Sequence, residues 1–153
     1  MPGPTEGQEA LVLAYALSAD ADLSTAVTEA IAFAAANLGA PYRWGGTGPG
    51  GFDCSGLTQA AYAAAHVAIP RVAQDQFDAG PAVPPTAPLQ PGDLVFFGSG
   101  PQGITHVGLY IGGGEMIDAP HTGAFVRIEP TPTTPGRAFG DDLYIGATSP
   151  GDQ

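Results

Sequence analysis

Apolar residues recur at helical spacing in the first half of this chain and crowd into short strand-like runs in the second. Leu23, Val27, Ile31, Ala34 and Leu38 fall about one turn apart, with Asp22 placed as N-cap and Gly39 followed by Pro41 as a stop. An Ala/Leu-rich run over residues 6–18 reads as an earlier helix, broken by Asp20-Ala21-Asp22. A further helix is predicted over residues 54–66, where Leu57, Ala60, Ala61, Ala64 and Ala65 form a small-residue face suited to close packing. A short helical segment spans residues 71–80, and the proline-rich stretch 81–88 can only be loop. Strands are predicted over residues 93–98, 106–111, 115–119, 124–129 and 143–147, separated by glycine- or proline-rich turns. Helices followed by an antiparallel meander make the fold class α+β.

Composition sets the outer bounds. With 153 residues and 44% hydrophobic content, the chain is most simply one globular domain with a core that needs no staple. A single cysteine rules out an internal disulfide. Four arginines, no lysine and fifteen acidic residues give a formal charge of -11 and a pI near 4.1. Such a surface repels phosphate backbones and anionic membranes, which argues against nucleic-acid binding. No apolar run approaches the roughly 18 to 20 residues of a membrane span, and no basic stretch precedes a hydrophobic segment at the amino terminus. Compartment has to be inferred from chemistry instead.

The lone cysteine carries the most information. Cys54 lies in Gly51-Phe52-Asp53-Cys54-Ser55-Gly56-Leu57, between a loop containing Gly45, Gly46, Gly48, Gly50 and Gly51 and the start of a predicted helix. A thiol in the first turn of a helix faces unpaired N–H groups and the positive end of the macrodipole, a setting that suits a nucleophile. Free cysteine is otherwise a small, buried hydrophobe. The glycine-rich approach, which lets backbone come close to a ligand, favours the catalytic reading.

A cysteine nucleophile needs a base and a group to orient that base. His66 ends an alanine-rich helix and reads as solvated or paired with the helix dipole, and His121 follows Pro120 in a turn. His106 opens the strand His-Val-Gly-Leu-Tyr-Ile and is the best candidate. If Gly112-Gly113-Gly114 is a three-residue hairpin loop, Ile111 opposes Glu115 and Gly108 opposes Asp118. His106 and Asp118 then share one face a diagonal step apart, with no side chain between them. A one-residue slip would move Asp118 to the other face, so this assignment depends on register.

The motifs Pro41-Tyr42-Arg43-Trp44-Gly45-Gly46, Phe52-Asp53-Cys54-Ser55-Gly56-Leu57, Pro70-Arg71, Gln90-Pro91-Gly92-Asp93-Leu94-Val95-Phe96-Phe97 and His106-Val107-Gly108-Leu109-Tyr110-Ile111-Gly112 follow one another in order. Together they resemble the NlpC-type cell-wall endopeptidases, from about Val27 to Ala147. The resemblance implies a compact papain-like α+β fold with helices packed on a central antiparallel sheet. It implies Cys54 as nucleophile, His106 as base and Asp118 as the third polar residue. It also implies Tyr42 and the Cys54 backbone N–H as the oxyanion site, and Asp53 and Ser55 as residues lining the substrate cleft. Trp44 is expected to pack. The family's usual reaction is hydrolysis of the amide between D-glutamate and a diamino acid in peptidoglycan stem peptides, with no metal or organic cofactor.

On this reading residues 23–148 form the catalytic domain and residues 149–153 a tail. Residues 1–22 form a helical extension that could cover the cleft, an idea that equal activity after deleting them would remove. The protein is expected to act as a secreted monomer on stem peptides in a bacterial cell wall. One departure stands out: Val72 and Ala73 replace the polar residues that often follow Pro-Arg and contact substrate, and Asp75 and Gln76, which come next, are the candidates to compensate. The rival readings are a peptidoglycan-binding module without catalysis and an acyltransferase or amidase on the same frame. The presence of both Cys54 and His106 argues against the first.

Overall fold

The computed structural model describes residues 24–152, so the helix expected over residues 6–18 and the cap expected at Asp22 lie outside the described residues. Helix α1 (Thr25–Ala36) is capped by Ser24, whose extended backbone lets its hydroxyl accept the Val27 N–H at 3.2 Å. Its buried residues Val27, Ala30, Ile31, Ala34 and Ala35 lie on one stripe. After the helix, Gly39 takes a φ of +90° and turns the chain so that its N–H meets the Val126 carbonyl at 2.8 Å.

Helix α2 (Cys54–Ala64) begins with Asp53 as N-cap, its Oδ1 accepting the Gly56 N–H at 2.6 Å. Leu57, Ala61 and Tyr62 are its fully buried apolar side chains, and it packs on α1 and on the sheet. Helix α3 (Ala73–Ala79) sets Phe77 edge-on against Phe96, with ring centroids 5.2 Å apart.

Six strands form one antiparallel sheet: β1 (Leu94–Gly98), β2 (Ile104–Gly112), β3 (Glu115–Asp118), β4 (Arg127–Pro130), β5 (Ala138–Phe139) and β6 (Asp142–Thr148). Their order is β4-β3-β2-β1-β6-β5. The expected meander therefore holds only from β1 to β4, because β6 returns to the free flank of β1. That return explains the unbroken apolar run Leu94-Val95-Phe96-Phe97, since a central strand covered on both faces has no polar side. Leu94 and Phe96 join the core beneath the helices. Val95 and Phe97 join a second core on the other face with Tyr110, Met116, Tyr144 and Ala147.

Two expectations about strands need correction. Residues 124–126 do not extend β4, because their backbone is used elsewhere: Ala124 accepts the Tyr42 N–H at 2.9 Å, Phe125 bridges Pro41, and Val126 exchanges bonds with Gly39 and Ala40. The β2–β3 hairpin turns on two residues rather than three. Gly113 and Gly114, at φ +62° and +76°, join Gly112 to its partner Glu115, and Ile111 is left as a bulge. The shorter turn and the extra residue cancel, so Leu109 pairs with Ile117, and the next step along the ladder brings Gly108 to Asp118. A Cβ on Gly108 would lie 2.4 Å from the Met116 sulfur and 3.4 Å from the Asp118 Cβ, so glycine is what lets β3 side chains cross here.

A second steric requirement lies at the start of α2, where a Cβ on Gly56 would stand 1.9 Å from the Gly46 carbonyl oxygen. Gly56→Ala is expected to lower the stability of the domain by about 1–3 kcal/mol, the usual cost of overpacking against backbone. Urea unfolding would measure it, and an unchanged midpoint would mean that the Gly46 loop can withdraw without cost.

Candidate active site

The capping of α2 fixes the position of Cys54, which is the first residue of that helix and is half-buried. Asp53 does more than cap. Arg71 grips it with two guanidinium nitrogens, Nη1 to Oδ1 at 3.0 Å and Nη2 to Oδ2 at 2.8 Å, and Nη1 also donates to the Ser55 hydroxyl at 3.0 Å. The Gly45 N–H reaches Oδ2 at 3.2 Å, which draws the glycine loop onto the helix start. Asp53 and Ser55 thus stand beside Cys54 with their side chains bonded to Arg71.

Gln76 holds the opposite side of this turn. It is 2% exposed, accepts the Thr58 hydroxyl at 2.7 Å, and donates to the carbonyls of Ser55 at 3.1 Å and Pro70 at 2.8 Å. The expectation of Gln76 as a replacement for a lost substrate contact is therefore corrected, because its amide is spent joining α3 to α2. Asp75 and Val72 are exposed, and Ala73 is buried.

The sheet contributes the second half of the site. His106, near the start of β2, is buried, and its Nε2 lies 2.8 Å from Oδ2 of Asp118, which is fully buried at the end of β3. Nε2 is thereby taken, and Nδ1 is the ring nitrogen left for Cys54, which lines the same cleft. Phe139 lies nearly parallel to the imidazole, 6.1 Å away at 6°, and Phe97 flanks it at 5.6 Å. Phe139 comes from β5, a two-residue strand too short to show any periodicity in the sequence.

Burial alone would lower the His106 pKa, but hydrogen bonds to Asp118 and Cys54, together with their charges, outweigh it and raise the value from 6.5 to about 10. The imidazole is therefore held as its cation at neutral pH. Because the folded value lies above the unfolded one, the associated stabilisation is complete below about pH 6.5 and is lost as pH rises through about 10.

Tyr42 completes the cluster. Pairing of its loop with Phe52 and with residues 124–126 brings it to the cleft it shares with Cys54 and His106, a cavity of about 270 Å³. Its hydroxyl pKa is raised above 10, first by partial burial and then by the charges of Cys54 and Asp53, so it remains a donor. His121, Arg127, Glu129 and Asp142 line the same cleft. Trp44, expected to pack, is instead 87% exposed on the loop after Tyr42, because the backbone bonds of that loop leave its ring outside the core. His66 is exposed at φ +63°, beyond the end of α2. Nothing in the local sequence pattern around Arg71 or Gln76 identifies them as the supports of the cysteine turn. Among the described residues no cluster of His, Cys, Asp or Glu is arranged to hold a metal ion.

Helices packed on an antiparallel sheet, with a cysteine at a helix start against a histidine and carboxylate on neighbouring strands, define the papain-like α+β class. The chain belongs to the NlpC/P60 family, whose model matches residues 39–135. It is 42% identical over 123 residues to the peptidoglycan endopeptidase RipB of Mycobacterium tuberculosis, a match covering 72% of this chain and 50% of RipB. It is 47% identical over 93 residues to a gamma-D-glutamyl-L-lysine dipeptidyl-peptidase of Bacillus subtilis, covering 60% of this chain and 31% of that protein. The chain thus spans half or less of the length of these two relatives. Among solved structures, RipD of Mycobacterium tuberculosis, described as a non-catalytic NlpC/p60 domain protein adapted to peptidoglycan binding, superposes with a TM-score of 0.63 at 30% identity, covering 82% of this chain and 97% of that one.

The electrostatics of the histidine can be checked directly. By NMR, the His106 imidazole is expected to titrate near pH 10, and Asp118→Asn to lower that midpoint by more than a unit. The stability lost in Asp118→Asn should be larger at pH 6 than at pH 10.5. A midpoint near 6.5 in the unaltered protein would rule out the cationic histidine.

Proposed function

We propose that this domain is a peptidoglycan hydrolase, a cysteine endopeptidase that cuts the amide between D-glutamate and a diamino acid of the diaminopimelate type in stem peptides. The observation that carries the reading is that Cys54, Tyr42 and His106 line one cleft and that His106 is bonded to the buried Asp118. The names of the relatives in RipB and the Bacillus subtilis enzyme supply the substrate class. In RipD the same fold is described as non-catalytic, so the family alone does not decide catalysis, and the reading rests on Cys54 and His106 lining one cleft.

The chemistry follows from these positions. The His106 cation beside Cys54 provides the positive charge that supports a thiolate. That sulfur attacks the γ-carbonyl of D-glutamate, and the oxygen of the tetrahedral intermediate takes hydrogen bonds from the Cys54 N–H and the Tyr42 hydroxyl. His106 then gives its proton to the leaving amine as the C–N bond breaks, which leaves a thioacyl enzyme. Neutral His106 next draws a proton from water, the hydroxide adds to the thioester, and the free γ-carboxylate departs as Cys54 is restored. Asp118 keeps the ring oriented throughout. Asp53 and Ser55 act beside Cys54 through their bonds to Arg71, whose side chain is one-third exposed and free to meet a substrate group.

Such a substrate places the protein outside the cytoplasm, on the cell wall of a bacterium, where an unpaired catalytic thiol needs no disulfide partner. Mass spectrometry of purified peptidoglycan fragments after incubation should show products split between D-glutamate and the diamino acid. Cys54→Ala should yield none, and Tyr42→Phe should lower kcat on the order of 100-fold. Binding of the fragments without cleavage by the unaltered protein would replace this reading with a binding module, and intact products joined to a new acceptor would indicate an acyltransferase.

A further inference from the structure

Two buried oxygens beside the histidine have no donor. Asp118 spends Oδ2 on His106 and leaves Oδ1 without a hydrogen-bond partner; Glu129 spends Oε1 on Arg127 at 3.3 Å and leaves Oε2 likewise. The two side chains share a face of the β3–β4 ladder, since Asp118 pairs with Arg127 and Glu129 lies two residues further along, and the Asp118 carboxyl is close enough to push the Glu129 pKa up. Two carboxylates cannot hydrogen-bond to each other, so these two unpartnered oxygens can satisfy one another only with a proton on one of them. We propose that Glu129 is a positioning residue for the proposed triad: protonated, it donates from Oε2 to Asp118 Oδ1 and so fixes the carboxylate whose other oxygen holds His106.

The surroundings favour the proton on Glu129. Burial raises its pKa first, the hydrogen bond and charge of Asp118 raise it further, and Arg127 lowers it by less, for a value of about 7 against an ordinary 4.5. The charged and titratable groups around it are Arg127 on its own strand, Asp118 on β3, His106 on β2, and Cys54, Tyr42, His121 and Asp142 across the cleft. Below about pH 7 the bond to Asp118 is intact. Above it, two adjacent carboxylates repel and Asp118 loses the group that fixes its outer oxygen. Nothing in the local sequence pattern signals this role, because Glu129 reads as an ordinary polar residue at a strand edge.

This inference rests on the triad reading for its catalytic consequence but not for its first test. The ring shifts of His106, followed by NMR, should show a minor step near pH 7, separate from the imidazole's own full titration near pH 10, in the unaltered protein, and Glu129→Gln, whose amide donates to Asp118 at every pH, should abolish it. With cleavage assayed alongside, kcat/KM should fall several-fold between pH 6 and pH 8 in the unaltered protein. It should stay level over that range in Glu129→Gln and be low throughout in Glu129→Leu. If the unaltered protein cleaves nothing, the function proposed above fails while the ring-shift step still decides the role of Glu129. Should Glu129→Gln fail to fold, the Glu129 carboxyl signal in Asp118→Asn serves instead, with its midpoint expected to drop from about 7 toward 4.5. A step that persists in Glu129→Gln, or a Glu129 carboxyl that titrates near 4.5 in the unaltered protein, would overturn the proposal.

Discussion

The carboxylate of Asp53 accepts from five donors: the N–H groups of Gly56 and Gly45, the Ser55 hydroxyl, and two nitrogens of Arg71. No other side chain near the cysteine joins so many separate pieces of chain. It caps α2, pulls the glycine loop against the helix start, and ties both to the segment leading into α3. Each bond is modest in a part-buried setting. Their convergence on one group is what matters, because the position of the Cys54 sulfur is fixed by the turn that they define. Close contact between Gly56 and the Gly46 carbonyl then leaves that turn no room to relax.

The sheet answers this fixed sulfur with an equally constrained base. A histidine with an exposed partner would lose much of its charge preference to solvent, but here the partner Asp118 is fully buried and the ring packs against the touching pair Phe97 and Phe139. Low local polarity would by itself drive the imidazole to its neutral form, and the carboxylate reverses that. The site depends on this balance, and each side of it comes from a different part of the fold: the aromatic walls from β1 and β5, the carboxylate from β3.

Much of this could be read from the chain. Helical spacing located α1 and α2, the glycine loop before Cys54 marked the turn that presents it, and counting across the glycine-rich hairpin placed Asp118 on the face of His106. The parts that could not be read have physical reasons. A two-residue strand such as β5 has no period, so Phe139 was invisible. The return of β6 to β1 is a long-range choice made by burial, and the continuous apolar stretch of β1 hinted at it only in retrospect. Gln76 carries an amide that looks the same in a sequence whether it faces solvent or satisfies three groups inside. Trp44 shows the opposite error, a large apolar ring left outside because its loop is governed by backbone bonds.

The β2–β3 hairpin has a further consequence. Its turn is one residue shorter than its flanking glycines suggest, and the bulge at Ile111 absorbs the difference. Turn length and bulge therefore behave as a matched pair: removing either alone would rotate every β3 side chain to the opposite face and turn Asp118 away from the imidazole. Insertions and deletions in this hairpin should consequently be tolerated only two at a time, so that a loop remote from the cleft sets the parity on which the cleft's chemistry depends.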